Sequence, residues 1–402
     1  MPVEIRSPLD EELRDVLVAL EAAFGGAVEH EEEVLRATRA TMPLDRILSG
    51  WDDGRVVAVA AAWPFRMTIP GGELPCGGVT WVGVHATHRR RGLARELMRR
   101  QLDDLHERGE PLAALWASES PIYGRFGYGM AGPAQRLRAD RAAFAYRDDP
   151  GAAGTIRLVT KEEALQALPP IYDRIRPTRP GMFARDETWW REQRLQDLWA
   201  PSSAGKRFYA VLELDGDAAY AIYHHDGKWD EDVPAGTVAV VEAFGTSLRA
   251  TQEIWRFLFS IDLTRTVRAN RLDPANPLFL AVQDPRRLGV GVADGLWLRL
   301  VDADAALRAR SWNGDDSLVV ELRDAFCPWN DGRYRLGAGA GRTEDAADLA
   351  LDTADLASLY FGGFDPTLLQ AAGRIEERTP GAVERAAALL RTPLPPFCPE
   401  GF

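Results

Sequence analysis

Val79 to His85 is a run rich in β-branched residues and predicts a strand; past it the chain takes on the spacing of a helix. Leu93, Leu97, Met98, Leu102 and Leu105 mark one face of a predicted helix over Leu93 to Arg108. Between the two stand Ala86-Thr87-His88, three consecutive arginines and Gly92. After Gly109 and Pro111 a second strand, Leu112 to Ala117, leads into Ser118, Tyr123 and a loop punctuated by glycines. Strand, arginine-glycine turn, helix, strand is an order suited to holding a polyphosphate.

The same reading extends both ways. Val3 to Arg6 predicts a first strand, and Ser7 as cap with Pro8 at the first helical position predicts a helix to Phe24. A second helix is expected over Glu29 to Ala40, with Glu29, Glu31, Glu32 and Glu33 on a solvated face. Arg46 to Trp51 and Val56 to Thr68 form a hairpin across Asp52-Asp53-Gly54. From Thr155 the order repeats: a strand, a helix (Glu162 to Ile175), strands at Phe208, Ala218 and Thr237, a helix (Arg249 to Ile261) and a strand (Arg265 to Ala269). No arginine-glycine turn opens that last helix. Beyond Gly295, strands are expected at Trp297 to Val301, Ser317 to Arg323, Gly332 to Leu336 and Thr343 to Leu351, as one sheet with helices at Ala303, Thr353 and Ala382. The end, TPLPPFCPEGF, is extended and able to reach out of its own domain.

Composition narrows the class. The 402 residues suffice for two or three domains, and 46% apolar with 27% charged residues describes a folded chain. The net charge of −12 argues against broad nucleic-acid binding. Three separated cysteines, Cys76, Cys327 and Cys398, offer neither a disulfide framework nor zinc spacing, and the six histidines show no metal pattern. The apolar run Val56 to Phe65 is too short for a membrane span, and the N-terminus lacks a signal-peptide core; a cytoplasmic protein is expected, with no metal, nucleic acid or membrane as partner.

The turn has a physical logic. A helix start presents unpaired N–H groups and the positive end of the dipole, Gly92 admits a pyrophosphate without a Cβ in the way, and Arg89, Arg90 and Arg91 can fork onto its oxygens. Arg89-x-x-Gly92-x-Ala94 resembles the pyrophosphate signature of GNAT-superfamily N-acetyltransferases. With VGVHATHRRRGLAREL and ALWASESPIYGRFGYG, the chain resembles more narrowly the Eis (enhanced intracellular survival) family. That resemblance implies an α+β fold: tandem GNAT domains, mixed sheets flanked by helices, over 1–150 and 151–294, the second without the acyl-CoA signature. A sterol-carrier-protein-like α+β domain follows over 295–402.

The activity implied is acetyl transfer from acetyl-CoA to an amine such as an aminoglycoside, polyamine or lysine-like acceptor, in a homohexamer. The pantetheine arm is expected along Val82, Gly83 and Val84, with Gly83 marking a bulge; the diphosphate on Arg89, Arg90, Arg91, Gly92, Leu93, Ala94 and Arg95; and a further contact at Ser118 and Glu119. Tyr123 is the implied proton donor, since a phenol of pKa ~10 is protonated at neutral pH. The implied base is the α-carboxylate of Phe402, and Trp81 borders the acceptor groove. Gly401 stands where some family members have an acidic residue, with Glu400 one place earlier. A rival class, a lipid or small-molecule carrier with a vestigial acetyltransferase domain, is opposed by the intact turn and Tyr123.

Overall fold

The apolar run from Val56 becomes the middle of a strand that is buried on both faces from Val56 to Trp63, which places it inside a sheet covered on two sides. The computed structural model describes residues 3–26, 31–198 and 205–402. The first domain runs β1 (Glu4–Arg6), α1 (Leu13–Phe24), α2 (Glu31–Thr41), β2 (Ile47–Asp52), β3 (Arg55–Ile69), β4 (Gly72–Val84), α3 (Leu93–Glu107), β5 (Leu112–Trp116) and α4 (Ser120–Tyr123). Strands β1 to β4 are antiparallel neighbours in order, and β5 lies parallel to β4. Leu296 to Leu300 close the other edge of β5.

The chain divides into two compact units. One holds Met1–Gly132, Pro180–Ala184 and Gly295–Phe402, so the first domain and the C-terminal domain form one body. The other holds Pro133–Arg179 and Arg185–Asp294.

In the first unit, the C-terminal sheet has the order Gly341–Arg342, Gly332–Gly337, Ser317–Arg323, Leu349–Asp352 and Ile375–Glu377. Every residue of its helix Thr353–Tyr360 is buried. Three expectations change here. Trp297 to Val301 does not join this sheet but pairs with β5, its register setting Trp297 opposite Leu115. The strand expected over Thr343 to Leu351 is interrupted, because Thr343 and Asp345 hydrogen bond to each other in a local turn before the chain re-enters the sheet at Leu349. Ser7 is not a helix cap: the Leu9 N–H donates to Glu12 Oε2 at 2.8 Å, Arg6 pairs with Glu12, and a short 3-10 turn precedes α1. Glu29, expected at the start of the second helix, lies outside the described residues.

The second unit repeats the layout, with Gly236–Gly245 antiparallel to Asp217–Asp226 on one side and parallel to Thr264–Leu272 on the other. Its interior contains a charge cluster. Glu242, almost wholly buried, accepts from Arg185 Nη2 and Arg194 Nη2 at 2.6 Å each and from the Tyr220 hydroxyl at 2.5 Å. Burial alone would raise the Glu242 carboxyl, but Arg185 and Arg194 outweigh it and hold it at about 2. A depressed carboxyl contributes stability that is present above its unfolded value of ~4.3 and lost as pH falls toward the folded one. Glu242→Gln strands two buried guanidinium groups and is expected to destabilise this unit by about 3–5 kcal/mol at neutral pH, read by urea unfolding. A loss under 1 kcal/mol would contradict that account.

Candidate active site

Two parallel strands part here. Pairing between β4 and β5 covers only Cys76–Gly78 with Leu112–Ala114. Yet β4 continues to Val84 and β5 to Trp116. The edge of β4 that faces β5 is therefore left open from Val79 onward, a slot into which an extended chain of amide groups can insert as an added strand.

The slot joins two faces of the sheet. Successive residues of a strand point to opposite sides. Val79 and its partner Ala62 belong to the core under α3, together with Met98, Leu102, Leu105 and Tyr123. Gly78 faces the other way: a Cβ there would lie 2.2 Å from the Phe65 ring, so glycine at this position lets that ring lie flat over β4. The strand irregularity falls at Trp81 rather than Gly83. Trp81 has φ +57°, and the register with β3 shifts between Val59 and Ala61. This corrects the expectation for Gly83, whose small size instead admits α1: a Cβ there would come within 2.8 Å of Ala23. Alternation would send Trp81 toward α3, but the bulge sets its ring edge-on to Trp63 at 6.2 Å, on the side of Phe65.

Beyond Val84 the chain turns into α3. Gly92 is the cap residue at φ +85°, and an added Cβ would meet only open space, so its need is conformational. Leu93, Ala94 and Arg95 make the first helical turn, where N–H groups lack intrahelical acceptors. Arg90 and Arg91 are exposed beside it, whereas Arg89 folds back onto the main chain, its Nε donating to Val84 O at 3.2 Å. His88 Nε2 lies 2.9 Å from Asp52 Oδ2, whose carboxyl that contact lowers.

Ser118 and Glu119 follow β5 on the surface, and Tyr123 ends α4, 5% exposed. Burial raises the Tyr123 hydroxyl above its ordinary value, a hydrogen bond with Ser118 pulls it part of the way back, and Glu119 adds to the rise. The phenol thus keeps its proton well above neutral pH.

The tail returns to the first domain. Phe397 N–H donates to Pro180 O at 2.9 Å, and residues 180–184 lie along β3, with Phe183 opposite Met67. The Phe402 ring sits edge-on to Phe65 at 5.1 Å and to Phe183 at 6.1 Å, while those two rings stack at 3.8 Å. Phe402 therefore lies against Phe65, the ring that covers Gly78 at the last β4–β5 pair, and Tyr123 belongs to the core on the opposite face. Sequence reasoning missed Phe65 and Phe183 as the seat of the tail. Arg299, a lone arginine in the apolar run Leu296 to Val301, is fully buried where that run pairs with β5.

Among the described residues, no group of three His, Cys, Asp or Glu side chains could hold a metal ion.

Comparison with known proteins accords with this geometry. Residues 4–131 and 181–306 match models of the acetyltransferase (GNAT) domain, and residues 303–399 match the sterol carrier protein domain. An uncharacterized N-acetyltransferase of Streptomyces avermitilis is 40% identical over 389 residues, covering 94% of this chain and 95% of its own. The N-acetyltransferase Eis of Mycobacterium tuberculosis is 32% identical, covering 98% of each chain. The crystal structure of Eis1 from Mycobacterium abscessus superposes with a TM-score of 0.84 at 30% identity, covering 99% of this chain and 100% of that one. With its split β4–β5 pair, its glycine-capped α3 and its returning tail, the chain belongs to the Eis family of GNAT N-acetyltransferases.

Proposed function

We propose that this N-acetyltransferase moves the acetyl group of acetyl-CoA directly to a primary amine in a ternary complex, with Tyr123 as acid and the Phe402 α-carboxylate as base. The acceptor class is an aminoglycoside, polyamine or lysine-like amine. The observation that supports the reading best is the seating of the Phe402 ring against Phe65, which covers Gly78 at the last β4–β5 pair, with Tyr123 in the core on the other face of β4.

In this reading the Val82, Gly83 and Val84 backbone holds the pantetheine arm, and its N–H groups stabilise the carbonyl oxygen as charge develops. Arg90, Arg91 and the first amides of α3 take the diphosphate; Arg89 joins them by leaving Val84 O. The Phe402 carboxylate takes the amine proton as the N–C bond forms, and Tyr123 protonates the sulfur as the C–S bond breaks. Trp81, turned to the Phe402 face by its bulge, stacks on the cationic acceptor. Homo-oligomerisation belongs to the same proposal.

Thiol release from acetyl-CoA is to be measured with polyamines, aminoglycosides and lysine peptides. Turnover with at least one small amine is expected; a chain that binds acetyl-CoA but acetylates none of them would support a carrier instead. Gly92→Ala forces an L-residue into the left-handed region, which costs about 1–2 kcal/mol, and is expected to raise KM for acetyl-CoA by roughly tenfold with little change in kcat. An unchanged KM would remove the turn from the cofactor grip.

A further inference from the structure

We infer that Arg299 is a positioning residue for the acid, through which the C-terminal domain sets the place of Tyr123; the inference rests on the acid reading above. Arg299 is fully buried on the segment that pairs with β5, opposite Ala113. Its Nη2 donates to Asp324 Oδ2 at 2.5 Å, and its Nη1 donates to Thr353 Oγ1 at 2.9 Å and reaches Gly127 O at 3.5 Å. Asp324 and Thr353 belong to the C-terminal domain, whereas Gly127 closes the turn that begins with Tyr123.

The contact with that turn is tight. Gly127 has φ +83°, and a Cβ there would lie 2.1 Å from Arg299 Nη1 and 2.7 Å from Thr353 Cγ2. Gly127 N–H is tied to Gly124 O at 3.0 Å and Tyr128 N–H to Tyr123 O at 3.3 Å, so a displaced Gly127 displaces the phenol with it. The seam between this turn and the C-terminal domain is not closely filled throughout: Ser120, Pro121, Gly124 and Tyr128 line a cavity of about 290 Å³ whose other walls include Trp297, Ser358 and Arg374, and α4 is only four residues long.

Asp324 is in turn fixed. Its Oδ1 accepts from the N–H groups of Phe326 and Cys327 at 3.2 and 2.9 Å, and its Oδ2 accepts from Asn330 Nδ2 at 3.0 Å. The loop it organises also touches the other half of the site. Phe326 packs against Phe126 at 5.0 Å and lies under the Arg99 guanidinium of α3 at 3.9 Å. One C-terminal loop thus indexes the acid turn and the helix that follows the arginine-glycine turn to each other. Displacement by about 1 Å at a reacting group can cost on the order of 10²-fold in rate without weakening binding.

The test is a double-mutant cycle in the full chain. Arg299→Lys retains the charge and loses the two-pronged fork; Thr353→Val removes one acceptor and leaves the Arg299–Asp324 pair in place. Each is expected to lower kcat, Arg299→Lys by ~10–10²-fold, with KM for acetyl-CoA within about twofold. In a Tyr123→Phe background the same changes are expected to cost less than about threefold, because a misplaced acid matters only when an acid is present. Should Arg299→Lys be unfolded by circular dichroism, Thr353→Val is read in its place. Equal losses with and without the Tyr123 hydroxyl, or a folded Arg299→Lys with unchanged kcat, overturn the inference and leave the acid assignment standing. A Tyr123→Phe enzyme at full speed overturns the acid assignment first, and this inference with it.

Discussion

Tyr123→Phe is expected to lower kcat by ~10²–10⁴-fold while leaving the dissociation constant for acetyl-CoA within about twofold. The substitution removes one oxygen and keeps the ring that packs in the core with Val79, Met98 and Phe126, so stability should change little. The oxygen it removes is buried, hydrogen bonded to Ser118 and held protonated above the ordinary phenol value, which fits a donor to a departing thiolate. A raised phenol donates until pH passes its own pKa, so the wild-type alkaline limb should begin above ~10, and Tyr123→Phe should lack it. Stopped-flow turnover against pH, with acetyl-CoA binding followed separately by calorimetry, separates loss of the acid from loss of the grip. A kcat within threefold of wild type would remove Tyr123 from the chemistry.

Local features of the site were legible because their causes are local. Gly92 needs a positive φ wherever a helix is entered through a tight turn, and the spacing of Leu97, Leu102 and Leu105 follows from the helix period alone. The bulge falls at Trp81 and not at the nearby glycine for an equally local reason. Glycine is the usual residue at such a point, yet here the strained φ falls on Trp81, whose ring gains a partner in Trp63, while Gly83 is small for the sake of Ala23. Contacts distant in sequence left no such trace. Nothing in the run Leu296 to Val301 says that it will leave the C-terminal sheet to border β5, and only the oddness of a charged residue among apolar ones marks Arg299. Likewise Phe65 and Phe183 look like ordinary core residues until the tail is laid against them.

Adding a single glycine after Phe402 is expected to lower kcat by ~10²-fold or more, the second large effect. The extension leaves the Phe402 ring free to stay against Phe65 and Phe183 but moves the terminal carboxylate by up to ~3.5 Å, a full residue. It also leaves Glu400 in place, which matters because Glu400 is buried two residues earlier and is the other carboxylate the tail brings to this region. If Glu400 were the base, the extended chain would keep its rate and Glu400→Gln would lose it; the proposed base predicts the reverse order of sensitivity. Phe402→Ala supplies the third comparison. It retains the carboxylate and loses the ring that seats it, so it should fall between the wild type and the extended chain, with a larger share of the loss recovered at high amine concentration. A free α-carboxylate has a reference pKa of ~3.3–3.7 and is a weak base in water, so its use demands that it be held against the amine it deprotonates. In the proposed mechanism the seat formed by Phe65 and Phe183 provides position more than basicity, and a glycine-extended enzyme with undiminished kcat would show that position to be irrelevant.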